Sequence, residues 1–250
     1  KHIISTSIEH PSVYNPLGVL EELGFEVTIL PVDHDGHISL KELEEAIRPD
    51  TILVSTMYVN NEVGAVEPVE EISKIIKAKN PSTLYHVDAI QAYGKYVIRP
   101  KKQGIDLLSV SSHKIHGPKG VGFLYIRNGV KIKPLIYGGG QQAGMRSGTE
   151  NVPGVAGFGA AAKEMYTNHA EKVQKLIELK DYMTDRLGEI EGTVINSKKG
   201  EASAPQIVSV SFEGVRSEVL LHALEDKGVY VSSGSACSSN HPGISGTLKG

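Results

Sequence analysis

A single cysteine, Cys237, stands among 250 residues. One thiol cannot close an internal disulfide, so a disulfide-held scaffold is excluded, and a reducing cytoplasm is the compartment that fits. Long apolar runs are missing as well: none approaches the ~20 residues a membrane span needs. The sequence has no HExxH, and its ten histidines form no Cys/His cluster with zinc spacing, which argues against a structural metal. Neither sign of charge dominates. A formal net charge of -3 gives no basic field for nucleic acid or an anionic membrane surface. No signal peptide is visible. Position 1 is lysine and not methionine, so the expectation is that the native N-terminus is missing, with any export signal it carried.

What is present is an ordinary globular composition, 40% hydrophobic and 22% charged. The length suits one large domain, or one domain and part of another. Strand-like and helix-like segments alternate through the first half. Strands are expected at 2–6, 25–30, 51–57, 83–87, 107–110 and 121–126. Helices are expected at 11–23, stopped by Gly24, from the capping-box pattern at Ser39 to about Ile47, and at 68–79. Strands apolar on both faces and separated by helices predict an α/β fold, a mostly parallel sheet with helices on both faces. After Gly138-Gly139-Gly140 the pattern changes. A helical stretch over 155–187, broken near Asn168, leads to a strand at 207–212, a helix at 217–227 and a strand at 229–231. The expectation is a large domain over 1–165 and part of a smaller α+β domain over 166–250.

Two runs carry most of the chemistry: Tyr85-His86-Val87-Asp88-Ala89-Ile90-Gln91 and Ser111-Ser112-His113-Lys114-Ile115-His116-Gly117-Pro118. Each brings a charged residue to the end of a predicted strand. Ligands of open α/β sheets bind outside the carboxyl ends of the strands, where His10 and Asn61 also fall. A carboxylate and an amine there can share one ligand. Pyridoxal phosphate needs that pair: an amine to hold its aldehyde as a Schiff base, and an acid to keep its pyridine nitrogen protonated. A lysine taken at random is a surface side chain. Lys114 instead precedes a rigid Gly117-Pro118-Lys119-Gly120 turn, and burial would make its amine nucleophilic. Asp88 also reads as a helix N-cap, and the two roles are compatible. Gln91, about one turn later, can bond the ring hydroxyl. Ser111 and His113 can donate to a phosphate. The run Gly144-Met145-Arg146-Ser147-Gly148-Thr149 reads as an anion site or as a plain turn.

In order along the chain come His10, Asn60-Asn61-Glu62, His86 to Gln91, Ser111 to Lys114, Arg146-Ser147-Gly148-Thr149 and Ser233-Gly234-Ser235-Ala236-Cys237. This series resembles the cysteine desulfurases of the class V aminotransferase group, pyridoxal-phosphate enzymes of transferase fold type I. The form of the cysteine motif is similar to the housekeeping and nitrogen-fixation branch. The resemblance implies that Lys114 binds the cofactor, that His10 stacks on its ring and moves protons, and that Asp88 pairs with the pyridine nitrogen. It implies Gln91 at the ring hydroxyl, Ser111 and His113 at the phosphate, and Asn61 orienting substrate and cofactor. Thr149 would reach the phosphate of the other subunit in a homodimer. Cys237, on a mobile loop that includes residues 238–246, would take sulfur from L-cysteine as a persulfide, leave alanine, and pass the sulfur to an iron-sulfur scaffold or a sulfur-carrier protein. A lone cysteine is otherwise most often a small buried hydrophobe, but the serine-rich neighbours of Cys237 weaken that reading.

The family's upstream glycine-rich turn ending in threonine-glutamate and its later carboxylate-binding arginine have no counterpart in this sequence. The expectation is a chain truncated at both ends that by itself binds cofactor poorly and turns over slowly or not at all. Three alternatives stand beside the desulfurase reading: a selenocysteine lyase, a small-amino-acid transaminase, and an inactive dimerisation or binding module.

Overall fold

The computed structural model describes residues 1–233 and Thr247. In chain order the elements are β1 (His2–Thr6), α1 (Pro11–Glu22), β2 (Glu26–Leu30), α2 (Leu40–Ala46), β3 (Thr51–Met57), α3 (Val69–Lys79), β4 (Leu84–Asp88), β5 (Leu107–Ser111), β6 (Gly122–Ile126), α4 (Val152–Tyr166), α5 (His169–Gly188), β7 (Thr193–Ile195), β8 (Val210–Phe212) and α6 (Ser217–Glu225). Six strands form one sheet in the order β2-β1-β3-β4-β5-β6. Every pair is parallel except β5 with β6. A second sheet pairs β7 with β8 antiparallel.

Local chemistry sets the helix ends. Ser39 accepts a hydrogen bond from the Glu42 N–H at 3.2 Å and starts α2. α3 carries Glu70 and Glu71 in its first turn and Lys77 and Lys79 in its last, both favourable to the helix dipole. One face of the sheet presents Ile4, Val54, Tyr85, Val87, Leu108 and Val110, against which Leu43 of α2 and Val69, Ile72 and Ile76 of α3 are buried. Each such aliphatic side chain contributes roughly 1.5–3 kcal/mol by leaving water.

The other face departs from the expected apolar pattern. His86 bonds the Ser55 hydroxyl at 2.7 Å through Nδ1 and the Ser109 hydroxyl at 2.8 Å through Nε2, and Ser5 donates to the Ser55 carbonyl at 3.0 Å. Side chains two apart share a face, so Asp88 stands one step beyond His86 on this polar side. Burial pushes the His86 imidazole down to about 4, so it is neutral at physiological pH.

Four further expectations are corrected. No helix follows Asp88; residues 89–96 make successive turns, with the Ala92 and Tyr93 N–H groups both bonded to the Ala89 carbonyl. Residues 229–231 form no strand, because no strand pairs with them among the described residues. β7 was not expected, being too short for a periodic signal. The helical stretch begins at Val152, where Asn151 accepts from the Gly154 N–H at 3.1 Å. Its break lies where predicted: Asn168 takes the left-handed conformation (φ 51) between α4 and α5.

α4 packs on the turn that carries Lys114, whereas α5 packs on β7. Residues 197–207 then return to the large sheet. The Ser197 hydroxyl donates to the Val63 carbonyl at 2.8 Å, the Ala204 N–H to the Gly64 carbonyl at 2.8 Å, and Gln206 to the Gln91 carbonyl at 2.9 Å. Lys180 of α5 is buried and fastens this stretch by donating to the Ser203 hydroxyl and the Ala204 carbonyl.

Candidate active site

Of the five parallel strands, β1, β3, β4 and β5 end where the candidate residues lie, and the strand order reverses direction between β1 and β3. Such a reversal opens a crevice at the carboxyl ends. Asn60 and Glu9 fix its walls. Asn60 is fully buried; its Oδ1 accepts from the Glu62 and Val63 N–H groups at 2.9 and 2.8 Å, and its Nδ2 donates to the Ile8 carbonyl at 3.2 Å. The Glu9 carboxyl accepts from the Met57 N–H at 2.7 Å and from the Thr6 hydroxyl at 2.8 Å. Both residues tie the end of β1 to the end of β3.

Asp88 is the last residue of β4 and is 4% exposed. Its Oδ1 accepts from the Ile90 N–H at 2.9 Å, which closes the turn after the strand. Oδ2 takes no hydrogen bond among the described residues. Burial pushes the carboxyl up, while the Ile90 N–H and the charge of nearby His10 pull it partly back. His10 caps α1, accepting through Nδ1 from the Ser12 N–H at 3.1 Å, and it reaches Asp88 electrostatically. Lys114 lies on a 3-10 turn, Ser112–Ile115, directly after β5. The turn ends at His116 in the left-handed conformation (φ 65). Gly117 is required behind it, because a Cβ there would meet the Ser112 hydroxyl. The lysine side chain is half-buried.

The structure therefore brings Lys114, Asp88, His10, half-buried Asn61 and half-buried Ser111 to one edge of the sheet. Gln91 follows in the loop after Asp88, with its main-chain carbonyl held by Gln206. His113 and Thr149 are exposed. Cys237 and residues 238–246 lie outside the described residues. The donor set fits pyridoxal phosphate: an amine and an imidazole beside a buried carboxyl with one oxygen unengaged within the described chain. Sequence reasoning missed three polar residues at this edge. Glu9 and the buried amine of Lys95 carry no pattern of their own. Asn60, although part of the paired asparagines, gives no sequence signal that it and not Asn61 is the buried lock.

Glu9 and Glu67 are both buried with one carboxyl oxygen that has no hydrogen-bond partner among the described residues, and burial pushes both up to about 8. An acid whose pKa is raised by folding is held protonated in the fold and ionises readily in the unfolded chain. Stability therefore falls as pH rises from about 4.5 towards 8. Glu67→Gln, which cannot ionise, is expected to gain about 3 kcal/mol over the wild type at pH 7. Urea unfolding at pH 4 and pH 7 checks this: the gain should be close to zero at pH 4.

The aminotransferase class-V family profile matches residues 1–249, and the chain belongs to that family. It is 44% identical over 241 residues to the cysteine desulfurase IscS of Dictyoglomus turgidum, covering 96% of this chain and 60% of that protein. It is 48% identical to the cysteine desulfurase IscS of Methanosarcina thermophila, covering 96% and 59%. Among solved structures, a NifS-like protein superposes with a TM-score of 0.90 at 44% identity, covering 93% of this chain and 63% of that one. The apo cysteine desulfurase of Thermococcus onnurineus NA1 superposes with a TM-score of 0.89 at 26% identity, covering 100% and 64%. The chain thus spans about 60% of the length of the curated relatives it matches.

Proposed function

We propose that the full-length protein is a pyridoxal-phosphate cysteine desulfurase, converting L-cysteine to L-alanine with transfer of its sulfur to Cys237. The observation that carries this reading is the buried Asp88 carboxyl next to His10, at the strand edge that also holds Lys114. Bound there, pyridoxal phosphate supplies an electron sink for bonds broken at the substrate carbon. Lys114 would hold the cofactor covalently and, when displaced by substrate, move a proton at the substrate Cα. Asp88 would keep a proton on the ring nitrogen, and burial strengthens that ion pair by excluding water. His10, the N-cap of α1, would act beside the ring as a second proton carrier. Asn61 and Gln91 would orient substrate and ring, and Ser111 with His113 would hold the phosphate.

The sulfur step belongs to Cys237. Its thiolate forms an S–S bond to the substrate sulfur, the Cβ–S bond breaks with its electron pair left on Cβ, and the proton given up by Cys237 returns to that carbon. A thiolate is required, since the thiol is a poor nucleophile. Thr247 lies 3.5 Å from Asn60 Nδ2. We further assign residues 1–165 to a cofactor-binding domain and 166–250 to a partial second domain. The working unit would be a cytoplasmic homodimer in which Thr149 reaches the partner's phosphate, with an iron-sulfur scaffold or sulfur carrier as acceptor.

The names of the relatives favour a desulfurase over a selenocysteine lyase, a transaminase or a binding module. Full-length protein given L-cysteine should form alanine, and sulfide when a reductant is present. Cofactor-loaded protein that forms no alanine sinks the reading. Cys237→Ala isolates the chemistry: a desulfurase loses sulfur transfer, whereas a transaminase keeps its rate.

A further inference from the structure

Lys95 is a buried lysine, 8% exposed, that none of the roles above uses. It ends the run of turns that starts at Asp88, and its Nζ donates to the main-chain carbonyl of Lys114 at 2.8 Å. The loop that carries it is pinned on two sides. Gly94, at φ +82, lies so close to Ile115 that a Cβ would come within 2.9 Å of the Ile115 Cγ2. The Gly94 N–H donates to the Tyr166 hydroxyl of α4 at 3.0 Å, and that hydroxyl donates to the Tyr96 carbonyl at 3.1 Å. A donor on so fixed a base holds its acceptor in place.

We propose that Lys95 is a positioning residue for Lys114: its amine clamps the Lys114 carbonyl and sets a second cation beside the Lys114 side chain. This rests on the reading that Lys114 binds the cofactor. The 3-10 turn supplies few bonds of its own, because its hydrogen bonds are poorly aligned and its last carbonyls lack helical partners. The clamp fills that gap with a charge-assisted bond, of the stronger class. The titratable groups that bear on Lys95 are Lys114 on the turn, Tyr93 and Tyr96 in its own loop, and Tyr166 of α4, which is bonded to the Gly94 N–H and the Tyr96 carbonyl. Of these, Lys114 is the one whose charge acts on it. Burial first, and then that charge, push the Lys95 amine down to about 8, so it remains mostly a cation at neutral pH.

Lys95→Met keeps the aliphatic stem and removes donor and charge, so packing alone is not disturbed. In the full-length protein we expect amide exchange across residues 112–117 to quicken about tenfold, with the central strands unchanged. We expect the pH midpoint of the visible absorbance of the lysine-bound cofactor to rise by about one unit, since a neighbouring cation has been lost. Lys95→Arg restores both. Unchanged exchange or an unshifted midpoint in Lys95→Met overturns the proposal. A third measurement needs no variant and no cofactor. In the wild type, exchange of the same segment, corrected for its intrinsic pH dependence, should rise as pH passes about 8, because an uncharged amine donates more weakly. A flat profile overturns the clamp even if Lys95→Met does not fold. Absence of any visible band in cofactor-treated wild type would instead overturn the proposed function, while exchange still decides the role of Lys95.

Discussion

Lys114→Ala in the full-length protein is expected to lower alanine formation from cysteine by about 10⁴-fold or more, the scale seen when a covalent catalyst is deleted. It is also expected to abolish the visible absorbance of the lysine-bound cofactor. The fold gives a reason to attribute this loss to chemistry and not to unfolding. The Lys114 side chain is half-buried and takes no part in the apolar core; the turn is held by other atoms. These are the Ser112 N–H bonded to the Val121 carbonyl at 3.0 Å, the Gly117 N–H bonded to the Ser112 carbonyl at 3.1 Å, and the Lys95 amine on the Lys114 carbonyl. None of them involves the Lys114 side chain, so the melting temperature should stay within a few degrees of the wild type. Asp88→Asn provides a graded comparison. The amide oxygen can still accept from the Ile90 N–H, which preserves the turn. It cannot hold a proton on the ring nitrogen by charge, and losing one preorganised electrostatic contact costs about 10²-fold in rate. Turnover by Lys114→Ala at a rate near that of Asp88→Asn would remove Lys114 from its covalent role.

The parts of this site that could be read in advance were those carried by local pattern. Asp88 ends β4 and Lys114 lies on the turn directly after β5, and that placement needs only the hydrophobic period and the place where it stops. The helix starts at Ser39 and Pro11 were legible for the same reason. The direction of β6 was not, although ten residues between β5 and β6 are too few for the usual helical crossover of a parallel pair. Residues 229–231 show the opposite error, since an apolar run makes a strand only if another strand is there to pair with it. Glu9 and Lys95 escaped detection because nothing local marks them. A charged residue in a loop reads as solvated, and only the packing of β3 on β1, or of α4 on the Lys114 turn, takes these two out of water. Their sequence positions, one residue before His10 and one after Gly94, become informative once those contacts are known.

Asp106→Ala is expected to cost about 2 kcal/mol of stability, the range for leaving a buried hydrogen-bonding group without its partner. Asp106 is 1% exposed and immediately precedes β5. Its Oδ2 accepts from the Lys77 amine at 2.7 Å and from the Tyr85 N–H at 2.8 Å, and its Oδ1 accepts from the Arg127 Nε at 2.5 Å. One carboxylate thus joins α3, β4 and the end of β6. Burial opposes its ionisation, but the Lys77, Arg127 and Tyr85 donors outweigh this and hold the carboxyl below the usual range. A depressed pKa means the contribution is present above the unfolded value and fades as pH falls through the folded one, so the deficit of the variant should shrink in acid. Lys77 and Arg127 are themselves partly exposed, and each pair alone would count for little. The loss comes chiefly from the Tyr85 N–H, left without its acceptor inside the sheet, and from two cations no longer neutralised beside it. The cluster lies at the amino ends of β4 and β5, opposite the edge that holds Lys114 and Asp88. Chemical denaturation of Asp106→Ala should therefore show a lowered midpoint, while full-length protein that remains folded should keep the turnover with cysteine proposed for it. A fall in turnover per folded molecule would mean that the two edges of the sheet are not independent, and that strain at the base of β4 reaches Asp88 at its tip.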